Sequence, residues 1–274
     1  MTFRCSIASA EDHEQLAGTA PTETRYLFLE DPGPWAAKAV EESGLPEEVK
    51  AHLASLTDTR VQLIRRHGGS NLSAGRRVFT VEYGDGPPRV ATTTIEDVSA
   101  LLEPLRTVPY DGLLWLVCTN GRRDVCCAEF GRPVARALAE RWPEETWETT
   151  HLGGHRFSGT FLALPSGVTI GRADPATAVA DAAEIAAGGH PWRTSRGRAG
   201  FPPEAQVAEL AALQAGATDV HWHPPVTEDR VNLTVDGRTA SYEVERTPGP
   251  DRQQSCGDGP VKATTVYSAR EIEG

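Results

Sequence analysis

Cysteine and histidine crowd into one stretch of this 274-residue chain. Cys118 closes the apolar run Gly-Leu-Leu-Trp-Leu-Val-Cys over 112–118. The loop Thr119-Asn120-Gly121-Arg122-Arg123-Asp124-Val125-Cys126 follows, and Cys127 then opens a helical pattern, giving Cys-x8-Cys. After a spacer of 23 residues comes His151-Leu152-Gly153-Gly154-His155, a His-x3-His. A helix N-terminus and the neighbouring Arg122 and Arg123 favour thiolate, the form that binds metal. Two glycines between the histidines remove side-chain bulk and permit positive φ, so a loop can turn both imidazoles toward one centre. The same Gly-Gly pair argues against a helix there. Two thiolates and two imidazoles suit zinc or an iron–sulfur centre. Two histidines replacing two cysteines on one iron is the ligation logic of Rieske centres.

The remaining candidates read more plainly. Cys126 is the alternative to Cys127 as ligand, giving Cys-x7-Cys and a spacer of 24 residues. Otherwise Cys126, Cys5 and Cys256 read as small packing residues. His190, His221 and His223 have no cysteine near them in sequence, although His221-x-His223 on a strand would put two imidazoles on one face.

The segments CTNGRRDVCC at 118–127 and HLGGHRFSGTFLALPSG at 151–167 resemble the sucrase/ferredoxin-like family. RYLFLEDPGPW at 25–35 and RGRAGFPPEAQVAEL at 196–210 extend the resemblance over most of the chain. That family is similar to the thioredoxin-like ferredoxins, with the second cysteine pair replaced by His-x-Gly-Gly-His. The resemblance implies an α/β, thioredoxin-like ferredoxin fold and a 2Fe–2S cluster. Its ligands map onto Cys118, Cys127, His151 and His155. It implies a soluble electron carrier more than an enzyme. No paired carboxylates in a recognisable setting support a glycosidase.

The elements that must position these residues form two α/β runs. Over 1–105, strands are expected at Arg25–Glu30, Arg60–Arg66, Arg77–Tyr83 and Val90–Ile95, with helices at Trp35–Ser43 and Pro46–Leu56. Residues 1–22, polar and broken by Gly and Pro, are expected to form a loose arm. Over 106–274, a buried strand at Gly112–Cys118 leads to a helix from Cys126 to Trp142, whose Phe130, Val134, Leu138 and Trp142 recur every four residues. Asp124 is the expected N-cap. Strands Trp147–Thr150 and Phe161–Leu164 follow, then helices opening at Asp174-Pro175 and at Pro203–Ala215. Val231–Val235, Ser241–Glu245 and Ala263–Tyr267 alternate as a small antiparallel C-terminal sheet. The two α/β runs are readable as a divergent duplication.

Bulk properties bound the function. A net charge of −11 does not suggest a nucleic-acid partner. The apolar run at 112–118 is too short to span a bilayer, and the N-terminus shows no basic region followed by an apolar stretch. The expected setting is the cytoplasm, and five cysteines there do not read as a disulfide framework. Residues 118–172 carry a local charge of +1 against −12 elsewhere, with Arg122, Arg123 and Arg156 beside the candidate ligands. This suggests docking of an acidic redox partner, or an ordinary solvated loop. Three rivals remain: a structural Cys2His2 zinc protein, a thiol oxidoreductase using Cys126-Cys127 although Cys-x-x-Cys is missing, and a redox sensor using the same cluster. Imidazole ligands would raise the cluster's potential above that of an all-cysteine ferredoxin and couple reduction to protonation.

Overall fold

The computed structural model describes residues 2–84, 86–257 and 261–272. Its centre is a mixed sheet of ten strands, flanked by helices. The first half contributes β1 (Arg25–Glu30), β2 (Arg60–Arg66), β3 (Arg76–Glu82), β4 (Arg89–Ile95) and the short β5 (Val108–Pro109). The second contributes β6 (Leu114–Cys118), β7 (Thr146–Thr149), β8 (Phe161–Leu164), β9 (Val168–Ile170) and β10 (Ser195–Arg198). The order across the sheet is β10-β9-β8-β6-β7-β2-β1-β3-β4-β5.

The two halves repeat one topology. In the first, β1 and β2 are parallel neighbours joined through helix α2 (Glu47–Ser55), and β3 and β4 add antiparallel beyond β1. In the second, β6 and β7 are parallel neighbours joined through α3 (Val125–Arg141), and β8 and β9 add antiparallel beyond β6. β2 and β7 pair antiparallel, with Ile64 opposite Thr149, and so close the halves into one sheet. Parallel strands need a crossover, and a helix supplies it in each half.

The sequence accounts for these elements locally. All five residues of β6 are buried, as an apolar run covered on both faces requires. Asp124 caps α3 by accepting from Cys126 N, and Val134 and Leu138 of the expected stripe are fully buried. They pack with Trp115, Val117, Phe161 and Ile185, the last from α4 (Pro175–Ala186), on one face of the second half. A second apolar cluster crosses the β2/β7 seam: Phe28, Ile64, Phe79, Leu116 and Trp147 pack together with Cys118, Cys127 and Leu152. The candidate ligands therefore stand on the core that joins the halves.

Helix α5 (Pro203–Gln214) packs on a separate antiparallel sheet of four strands. Its strands are β11 (Val220–Thr227), β12 (Arg230–Val235), β13 (Arg238–Gln253) and β14 (Val261–Ile272). The long β13–β14 hairpin reaches back to the N-terminus, where Arg252 pairs with Asp12 and Gln15 bonds Tyr267 at both of its amide groups.

Two expectations fail. Residues 1–22 are not a loose arm: α1 (Cys5–Glu11) forms there, with Cys5, Ser6 and Ser9 buried. Tertiary partners order it, since Ser6 Oγ donates to Ser158 O at 2.7 Å and Arg172 binds Ser9 and Glu14. Trp35–Ser43 is not a helix. Trp35 is buried under the Arg65 guanidinium, and the Ala36 carbonyl accepts from Asn120 Nδ2 at 3.0 Å instead of from a helical N–H.

Candidate metal centre

Cys118 sits at the C-terminal end of β6, and the loop after it is tied by Asn120, whose side-chain oxygen accepts from Arg122 N and Arg123 N. Asp124 then starts α3, and Cys127 lies in its first turn. Helix and strand approach closely: a Cβ on Gly131 would meet the Cys118 carbonyl oxygen at 2.0 Å. That contact, one turn beyond Cys127, lets α3 bring Cys127 down onto Cys118.

The histidine loop arrives from β7. His151 Nδ1 lies 3.9 Å from Cys118 Sγ and 3.9 Å from Cys127 Sγ. Ligand atoms of Cys118, Cys127 and His151 all fall within 4.8 Å of one another. The His155 ring stands 4.8 Å from that of His151. Its Nδ1 is buried and has no partner among the described residues, and its Nε2 faces Asp124 Oδ2 at 3.9 Å. Gly153 and Gly154 take φ of 94° and 66°, the left-handed region that the Gly-Gly pair permits.

Arginines hold this loop. Arg60 Nη2 donates to the His151 carbonyl at 2.7 Å, and Gln62 Nε2 donates to the same oxygen at 3.2 Å. Arg196 is 2% exposed; it donates to Gly153 O at 3.0 Å and to Thr19, and it stacks over Phe157. Arg156 also lies over the Phe157 ring and pairs with Glu14 at 2.7 Å. Sequence reading missed Arg60, Gln62 and Arg196, because their role depends on strands far from the ligands in the chain. Only the Gly-Gly pair hinted that a large side chain must occupy the space: a Cβ on Gly154 would meet Arg196 Nη2 at 2.6 Å.

The electrostatics suit ligation. The Cys127 thiol donates toward Cys118 and, with His151, holds the Cys118 thiol well below its usual range despite full burial. The Cys127 thiol is raised in turn, chiefly by that same bond and by burial. Burial, then the neighbouring His151, lowers the His155 pKa, so its ring is neutral as metal binding requires. Ser158 Oγ lies 3.8 Å from Cys127 Sγ.

The other candidates go elsewhere. Cys126 points away from Cys118, toward Cys5 and Cys256. His190 bonds Ser195 and faces Glu209. His221 and His223 lie on β11 beside Asp219 and Thr234, with no cysteine partner among the described residues. Arg122 and Arg123 are exposed in the loop between Cys118 and Cys127.

A family comparison matches residues 16–236 to the description Sucrase/ferredoxin-like. The chain belongs to the sucrase/ferredoxin-like family. The match contains Cys118, Cys127, His151 and His155, and stops short of Cys5 and Cys256. No curated protein and no solved structure matches the chain. In this member of the sucrase/ferredoxin-like family, the two cysteines and the first histidine form one buried group able to hold a metal, with the second histidine beside it. No helix among the described residues is long and apolar enough to cross a membrane.

Proposed function

We propose that this chain is a 2Fe–2S electron-transfer protein. Cys118 and Cys127 would hold one iron and His151 and His155 the other. The observation that carries this reading is the unpartnered, buried Nδ1 of His155 beside the Cys118–Cys127–His151 group, in a chain of this family. A buried imidazole nitrogen with no partner is costly, and a metal bond would satisfy it. The donor set, two soft thiolates and two imidazoles, suits iron in a cluster.

When bound, the cluster accepts and donates one electron. The protein's own groups set its position and its surroundings. Arg60 and Gln62 fix the His151 carbonyl, Arg196 fixes Gly153, and the Asp124 carboxylate stands 3.9 Å from the second nitrogen of His155. Exposed Arg122 and Arg123 flank the approach and suit an acidic partner. We assign residues 106–274, with β6–β9, α3 and α4 at the centre and the C-terminal helix and sheet appended, to the thioredoxin-like ferredoxin unit, and the repeated strand order supports an N-terminal α/β unit of thioredoxin-like kind over 1–105. The expected setting is a reducing cytoplasm.

One observation favours a second reading. The ligand atoms of Cys118, Cys127 and His151 lie close enough to share a single ion, which suits a structural zinc site that would need His155 to move in as its fourth ligand. Anaerobic purification, visible absorbance and EPR of the reduced protein separate the two. The cluster gives a coloured protein with a reduced-state EPR signal, and zinc gives neither.

A further inference from the structure

We propose that Cys5, Cys126, Cys256 and Asp124 form a second metal centre, a tetrahedral site of three sulfurs and one oxygen for a single zinc ion. The three cysteines are far apart in sequence, one on α1, one on α3 and one beyond β13. The fold nevertheless sets Cys126 Sγ 3.2 Å from Cys256 Sγ and Cys256 Sγ 3.4 Å from Cys5 Sγ. Cys5 Sγ lies 3.7 Å from Asp124 Oδ1. All four ligand atoms fall within 4.8 Å of one another.

Packing does not account for this group. A structural cysteine behaves as a small hydrophobe and sits among apolar side chains. Cys118 and Cys127 do belong to an apolar cluster, whereas Cys5, Cys126 and Cys256 belong to none among the described residues. Their neighbours are one another, a carboxylate and backbone N–H groups: Cys5 N donates to Cys256 Sγ, and Cys256 N donates to Asp124 Oδ2 at 2.7 Å. None of the three is in a disulfide, and three thiols cannot all be satisfied by one.

The spacing fits one ion. Thiolates about 2.3 Å from a tetrahedral zinc lie about 3.8 Å apart, and a carboxylate oxygen lies about 3.5 Å from each sulfur. The Cys126–Cys256 sulfurs would part by about 0.6 Å and the Cys256–Cys5 sulfurs by about 0.4 Å, and Asp124 Oδ1 would close on Cys5 by about 0.2 Å. Sulfurs this close do not suit separate irons of a larger cluster. Asp124 keeps lone pairs free while it accepts from Cys126 N and Cys256 N. Binding would release the three thiol protons to solvent and exchange no electron. The ion would pin α1 and the β13–β14 hairpin to the start of α3, one residue from Cys127.

The test uses the full chain, stripped with a chelator under reducing conditions and titrated with zinc(II) alone, or with cobalt(II) as its coloured substitute. Wild type should take up zinc at this site in a ratio of about one per chain, and zinc-edge X-ray absorption should show a shell of sulfur with a single oxygen. Cobalt(II) should give the intense visible bands of tetrahedral thiolate ligation. Cys118→Ser, which disables the first site, should keep those bands and the zinc, and Cys5→Ser or Cys256→Ser added in that background should abolish the bands and weaken zinc binding at least tenfold. Bands that survive Cys256→Ser in that background, or that vanish in Cys118→Ser itself, overturn the proposal. So does a zinc shell of mixed sulfur and nitrogen alone, which would put the ion at the Cys118 site. Anaerobically purified, unstripped protein that holds no iron while its second site holds zinc would sink the electron-transfer reading and leave this one standing.

Discussion

Gly131→Ala separates helix propensity from the close approach that builds the site. In an ordinary helix interior this change stabilises by about 1 kcal/mol. Here the new Cβ would lie 2.0 Å from the Cys118 carbonyl oxygen, a contact with backbone that no flexible side chain can relieve. Reaching even the 3.0 Å limit of real Cβ contacts requires the helix to lift by about 1 Å. Overpacking of a tight core costs about 1–3 kcal/mol, and a shift of backbone belongs at the upper end. The net expectation is a loss of roughly 2 kcal/mol, or about 5 °C in Tm for a chain of this size. Urea unfolding measures it, with Gly44→Ala as the control, since a Cβ there meets nothing within 4 Å. Because Gly131 follows Cys127 by one turn on the face against β6, metal content should fall with stability. A Gly131→Ala variant as stable as wild type, with full metal content, would refute the account of how α3 seats Cys127.

Three other perturbations are tractable. Arg196→Lys keeps the charge but loses the fork that reaches Gly153 and Thr19 together; it should cost about 1–3 kcal/mol and reduce metal content, and unchanged loading would contradict the role given to Arg196. Burial pushes the Glu209 carboxyl up, but Arg198 at 2.6 Å and the nearby His190 outweigh it and hold the pKa at about 2. The folded state then binds fewer protons than the unfolded state between about pH 4.5 and pH 2, so stability on the order of 3 kcal/mol is present above that window and lost as pH falls through it. Acid unfolding of Glu209→Gln should lack that slope; an unaltered slope would place the effect elsewhere. The midpoint potential should fall by about 59 mV per pH unit above the imidazole pKa of the oxidised site, because reduction favours the protonated ring. A potential that is flat across the neutral and alkaline range would exclude solvent-accessible imidazole ligation.

Local pattern made the second half of the fold readable. The apolar run ending at Cys118, the cap at Asp124 and the four-residue spacing through Leu138 each specify an element with little help from elsewhere. The Gly-Gly pair foretold positive φ, and both glycines adopt it. What stayed hidden depends on contacts between distant segments. β9, β10 and β11 are strands through their pairing, since Ser195–Arg198 and the Pro-containing Val220–Thr227 carry no clear alternation. α1 forms because Ser158 and Arg172 meet it. Cys256 looks isolated in sequence because its separation conceals the β13–β14 hairpin that brings it to Cys126, and Cys5 because α1 is not legible there. The arginines around the histidine loop were counted as local charge, whereas Arg60 and Arg196 act from strands outside it.

The central claim is best tested by iron and acid-labile sulfide analysis with EPR on anaerobically purified protein, repeated for Cys127→Ser, Cys126→Ser and His155→Ala. The account predicts about two irons and two sulfides per chain in wild type. They should be lost in Cys127→Ser and His155→Ala and retained in Cys126→Ser. Wild-type protein free of iron and sulfide, or a cluster that survives Cys127→Ser and disappears in Cys126→Ser, would contradict it.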